Sequence, residues 1–168
     1  AGRTIPPAGL VCVDPRTGRA TGQLIEHAAY RAWEAAPEPT IDVWTEHVHA
    51  ALASLASLGF RSVHDLHSQD WLGDALAALE RSGRLPVEHV RLYPPIARLE
   101  AVHADRGRWA SRRVQLAGGK VFADGTLNSR TALMLGPYLE PLDQQPLGRA
   151  MLSPRDLDHA IRLCESLG

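Results

Sequence analysis

Lys120 has the widest chemical reach in this chain. Of the 18 basic residues, 17 are arginine and one is lysine. A surface cation is served as well by arginine, so a retained lysine suggests a place where guanidinium cannot serve. A lysine amine gives up its proton readily when buried, and it can then act as a base, form a Schiff base, or take up carbon dioxide as a carbamate. Its neighbours, Gly118-Gly119 before it and Val121-Phe122-Ala123 after it, read as the end of an apolar strand. The plainer alternative is a single lysine snorkelling at a strand end. Asp65 and Asp124 close two apolar runs, Val63-His64-Asp65 and Val121-Phe122-Ala123-Asp124-Gly125. A carboxylate in such a place can bind metal, orient a ligand, or cap the following loop. His64 points either into a barrel or against a helix. Arg130, in the polar stretch from Thr126 to Ala132, can clamp a carboxylate bidentately or hold its own loop.

His47 and His49 have the spacing of a metal pair only on a strand. Here the surrounding period is helical, and residues two apart on a helix diverge by about 200°, so the two imidazoles read as helix surface. His27, His67, His89, His103 and His159 have no partner at ligand spacing. There is no glycine-rich phosphate cradle, no Gly-x-Ser-x-Gly elbow and no CxxC pair.

The elements that must position these residues alternate. Residues 1–39 read as a lead-in: Leu10–Val13 and Gly22–Ile25 form an antiparallel hairpin across the Asp14-Pro15-Arg16-Thr17-Gly18 turn. A short helix from Ile25 to Ala36 follows, stopped by Pro37 and Pro39. From Thr40 a helix runs to about Leu58, with Trp44, Val48, Leu52 and Leu55 on one face and Gly59 as its stop. Strands are expected over Phe60–Leu66, Val87–Ile96 and Val114–Ala123, with helices over Asp70–Ser82 and Ala97–Gly107 between them. A last helix starts at the Ser153 cap with Pro154 in its first turn and Asp156 three residues after the cap. Strands alternating with helices imply βα units and a parallel sheet. Three such strands bury little unless helices cover both faces or the sheet closes into a barrel. Residues 40–168 therefore read as an incomplete α/β barrel.

Composition narrows the class. The chain has 168 residues, 19 acidic against 18 basic, and a net charge of −1, so it lacks the basic face that nucleic-acid binding requires. No run of about 18 apolar residues exists to span a bilayer, and the first residues show no apolar signal core. Cys12 and Cys164 form no disulfide framework, which fits a reducing cytoplasm. Open sheet edges lead us to expect self-association.

Three segments in order carry a family likeness. Gly119-Lys120-Val121-Phe122-Ala123-Asp124-Gly125-Thr126-Leu127-Asn128-Ser129-Arg130-Thr131-Ala132 resembles the Lys-x-x-x-Asp-Gly-Ser-x-Gly-Ser-Arg-Thr-Ala signature of the amidohydrolase superfamily, family 3. Thr126 stands in place of serine and Asn128 in place of glycine. Gly59-Phe60-Arg61-Ser62-Val63-His64-Asp65 is similar to that family's Gly-Ile-Thr-Ser-Val-His-Asp strand, and Val13 to Gly22 resembles its Arg-Asp-Pro-x-Gly-x-Pro-Thr-Gly stretch. The resemblance implies a metal-dependent hydrolase on a (β/α)8 TIM-type barrel, of which strands two to four are present here. It implies cleavage of amide or other non-peptide C–N bonds in a small-molecule substrate by metal-activated water. One or two divalent metals, often zinc, are implied, held by a His-x-His pair, a carboxylated lysine, two later histidines and an aspartate. Lys120 matches the lysine, and its carbamate would supply an anionic oxygen. On this reading Asp124 and His64 are catalytic, and Asp65 and Arg130 contact substrate. The remaining ligands fall outside residues 1–168, so this piece is expected neither to hold metal tightly nor to turn over substrate unaided. Two other readings stay open: a Schiff-base lyase or aldolase barrel using Lys120, and a non-catalytic barrel piece.

Overall fold

A computed structural model describes residues 2–5, 9–142 and 145–168. The chain divides into two compact units, Ala1–Glu38 and Pro39–Gly168.

In the first unit, β1 (Gly2–Ile5), β2 (Gly9–Val13) and β3 (Ala20–Glu26) form an antiparallel sheet in the order β1-β2-β3. The β2–β3 hairpin is as expected. Its turn is closed by Asp14, whose Oδ1 accepts from the backbone N–H groups of Arg16 (2.7 Å) and Thr17 (3.2 Å), the use to which turn aspartates are commonly put. Two details correct the sequence reading. A third strand, β1, lies along β2, and β3 runs through Glu26, so that α1 covers His27–Glu34. Ile25 belongs to the strand because it stays in register with Leu10.

In the second unit, α2 (Ile41–Ser57) leads to β4 (Ser62–Asp65), α3 (Leu72–Arg81), β5 (His89–Leu92), α4 (Leu99–Asp105), β6 (Val114–Leu116) and α5 (Pro154–Leu167). Single 3₁₀ turns flank α4 at Ile96–Arg98 and Arg106–Arg108. The helix expected over Ala97–Gly107 is therefore split. The sheet is parallel in the order β4-β5-β6. His47 and His49 both lie on α2, as their helical surroundings required.

One face of the parallel sheet is apolar. Val63, Val90, Leu92, Val114 and Leu116 meet Leu72, Leu76 and Leu79 of α3, Leu52 of α2 and the buried Trp109. Burying side chains of this size stabilises by about 1.5–3 kcal/mol each. The helices are held further by Trp44, stacked on Trp71 at 4.5 Å between ring centroids.

The alternation along the strands puts Ser62, His64, His89, Arg91 and Gln115 on the opposite face. Parallel strands are commonly apolar on both sides; these are not. Arg91 donates to Gln115 Oε1 across the sheet.

Candidate functional site

The chemistry-bearing residues gather at the carboxyl ends of the parallel strands, the edge at which barrel enzymes place their reacting groups. Asp65 is the last residue of β4. Its backbone oxygen accepts from Tyr93 N (3.0 Å) and Ser68 Oγ (3.0 Å), and its Oδ1 accepts from His67 N (3.0 Å). Ser68 is buried, and its Oγ also accepts from Tyr93 N (2.9 Å). These bonds tie the loop after β4 to the end of β5. On the polar face, His64 Nδ1 lies 3.1 Å from the Tyr93 hydroxyl with the two rings stacked at 5.7 Å.

Lys120 corrects the expected third strand. The ladder of β6 ends at Leu116, so the strand predicted over Val114–Ala123 is broken. Pairing resumes for a single bridge, Pro95 with Lys120: Lys120 N donates to Pro94 O (2.7 Å) and Ile96 N donates to Lys120 O (2.9 Å). Between the pairs Leu92–Leu116 and Pro95–Lys120, Tyr93 and Pro94 on one side face Ala117, Gly118 and Gly119 on the other. One extra residue acts as a bulge and shifts the alternation of side chains by one. Without it, Lys120 would fall on the helix-packed side. With it, Lys120 falls on the side of His64 and Arg91. The glycines agree: a Cβ on Gly119 would lie 2.7 Å from Ile96 Cδ1 and 3.1 Å from Leu99 Cδ2, on the helix side, so the next residue faces away from it.

The Lys120 side chain is half-buried, and its Nζ sits 4.5 Å from the centroid of the Phe122 ring. His67 meets the same ring edge-to-face at 5.6 Å. Among the described residues no ion pair joins Lys120 to Asp65 or Asp124. The structure thus brings Lys120, Phe122 and His67 together, and separately His64 with Tyr93. His67, Tyr93 and Phe122 were not singled out from sequence. Their one signal was that each is aromatic and lies within a few residues of a strand end.

Asp124 and Arg130 belong to the loop that follows. Asp124 Oδ2 accepts from Leu133 N (2.9 Å), and Asp124 bridges Ala150. Thr131, 3% exposed, accepts from Thr126 N through Oγ1 (3.1 Å), and its backbone N donates back to Thr126 O (3.1 Å). A Cβ on Gly125 would fall 2.0 Å from Thr131 Oγ1, so only glycine lets the loop close this tightly. Arg130, with φ 58°, donates from Nη1 to Glu140 O (2.8 Å) and lies 3.5 Å from Glu140 Oε2. Both side chains are engaged in shaping the signature loop.

The metal that the resemblance implies does not find its ligands here. The described residues hold no group of three or more His, Cys, Asp or Glu placed to bind an ion, and the Lys120 amine rests on an aromatic face. The donor set of the described residues, taken alone, does not fit a metal centre. No helix among the described residues is long and apolar enough to cross a membrane.

Comparison with known proteins gives the context of this arrangement. No curated protein matches the chain. Two solved structures are similar, each titled as an uncharacterized metal-dependent hydrolase, from Pyrococcus horikoshii OT3 and Pyrococcus furiosus. Each is 27% identical, with TM-scores of 0.73 and 0.70 over 94% and 93% of this chain. The chain spans 33% and 32% of those two proteins. The family described as the amidohydrolase family matches residues 1–168 throughout. With the lysine-bearing signature in place after a parallel βα sheet and the match running along its whole length, the chain belongs to the amidohydrolase family.

Proposed function

We propose that residues 39–168 are a sector of a TIM-type barrel in a metal-dependent hydrolase that cleaves amide or other non-peptide C–N bonds of small molecules. The observation that carries this reading is the position of Lys120, on the polar side of the parallel sheet at its carboxyl edge, inside a family match over the whole chain. Residues 1–38 are then a lead-in domain. Lys120 is the residue that would be carboxylated and offer an oxygen to a divalent metal such as zinc, whose other ligands come from parts of the parent protein outside this chain. When bound, that metal supplies Lewis-acid polarisation of a carbonyl.

The chain's own residues do the rest. His64, fixed by Tyr93, presents an imidazole at the same edge for proton transfer, and Asp65 orients the loop that faces substrate. Asp124 and Arg130 act by holding the signature loop in shape. Two free cysteines agree with a reducing compartment, the cytoplasm. The isolated chain is inactive on this reading.

The test compares the 168-residue chain with a chain extended on both sides, assayed on N-acyl and formamide substrates with added zinc. The short chain should keep no stoichiometric zinc through dialysis and hydrolyse nothing, and the extended chain should do both. Zinc held by the short chain overturns the claim of missing ligands. Borohydride trapping of a keto compound on Lys120 overturns the hydrolase reading in favour of Schiff-base chemistry.

A further inference from the structure

The Lys120 amine rests on an aromatic ring, and ring and amine come from one short stretch of backbone. Phe122 follows Lys120 by two residues, so the bridge that fixes Lys120 to Pro95 also anchors the backbone that carries the ring. The ammonium lies 4.5 Å from the ring centroid, within the range at which the negative face of an arene attracts a cation. No carboxylate among the described residues is within ion-pair distance to compete for it. The ring itself is placed by the edge-to-face contact with His67, whose backbone N–H is held by Asp65. A path of contacts therefore runs from the end of β4 through His67 and Phe122 to Lys120.

We propose that Phe122 is the positioning residue of Lys120: its ring holds the Nζ over one spot of the carboxyl edge, and His67 sets where the ring stands. This rests on the reading of Lys120 as a site residue and concerns its free ammonium, the form that precedes carboxylation; the positioning is measurable without metal or substrate. Four carbon–carbon bonds leave the lysine head free to wander, and the attraction of the ring restricts it.

The single lysine makes the test clean. Reductive methylation of the 168-residue chain with ¹³C-formaldehyde labels Lys120 Nζ and the α-amine alone, and the signal lost in Lys120→Arg identifies the lysine. The Lys120 methyl resonance should sit upfield of free dimethyl-lysine because of the ring current. Phe122→Leu should move it to the free position, and Phe122→Trp should restore the upfield shift. Acetylation of Lys120 by acetic anhydride should run about two- to fivefold faster in Phe122→Leu, the range an exposed cation–arene contact supports. Phe122 is 44% exposed, so the variants should keep the native far-ultraviolet circular dichroism. As a second handle, His67→Ala should displace the methyl signal part of the way. An unshifted wild-type resonance, or one indifferent to Phe122→Leu, overturns the proposal. A shifted resonance together with an extended chain that binds no zinc would retain the positioning and remove the hydrolase reading.

Discussion

Gly73 shows how a single side chain can override local propensity. It is the second residue of α3, where alanine is the better helix former. A Cβ at this position would fall 2.5 Å from Trp109 Cδ2 and 2.7 Å from Cγ, against a ring that is 4% exposed. The buried indole occupies the space that a Cβ would take. Gly73→Ala is accordingly expected to destabilise by roughly 1–3 kcal/mol, the usual cost of overfilling a core, in spite of the better helix former. Urea unfolding decides it, and a gain in stability would show that the ring yields. At this scale the sequence disclosed which residues matter more readily than what they touch. Lys120 stood out by rarity alone. That Asp65 and Asp124 each accept a backbone N–H of their own loop was one of several uses open to a carboxylate at a strand end. That His64 pairs with Tyr93 depends on a register no local pattern reveals.

Helix α5 was legible almost to the residue, because its start is written in local chemistry. Ser153 Oγ accepts from Asp156 N (3.2 Å), and the Asp156 carboxylate accepts from Ser153 N (3.3 Å) and from Ser153 Oγ (2.6 Å). The hydroxyl and backbone bonds from Ser153 hold the Asp156 carboxyl below its ordinary value of 3.8. A carboxylate with a lowered folded pKa contributes stability that is present above the unfolded value and lost as pH falls through the folded one. Ser153→Ala should therefore cost about 1 kcal/mol near neutral pH. The gap between variant and parent should shrink as the solution is acidified below pH 3.8; a gap independent of pH would show that Asp156 plays no part in the cap. The third parallel strand was read less well, and the reason is specific. Val114 to Ala123 is apolar enough to continue as a strand, but Gly118 takes φ 154° and the extra residue there breaks the ladder after Leu116. Hydrophobic patterning records burial, not register, so an insertion of one glycine leaves no trace in it.

At the scale of the molecule, the sheet of residues 62–116 is open at β4 and at β6 among the described residues. Unpaired strand edges recruit other strands, and light scattering of the isolated chain should give a mass above the 18.3 kDa of one copy. A monodisperse monomer would show that the short edge strands are blunt enough to stand alone. Alternating strands and helices made the parallel sheet legible. The polar face was not anticipated, because parallel strands are ordinarily apolar on both sides. Any closed barrel built on these strands carries serine, two histidines, arginine and glutamine along this stretch of its inner wall, where bulky aliphatic residues normally fill the space. Such a wall presents hydrogen-bonding groups where aliphatic packing is usual, from Ser62 at one end of the strands to the level of His64 at the other.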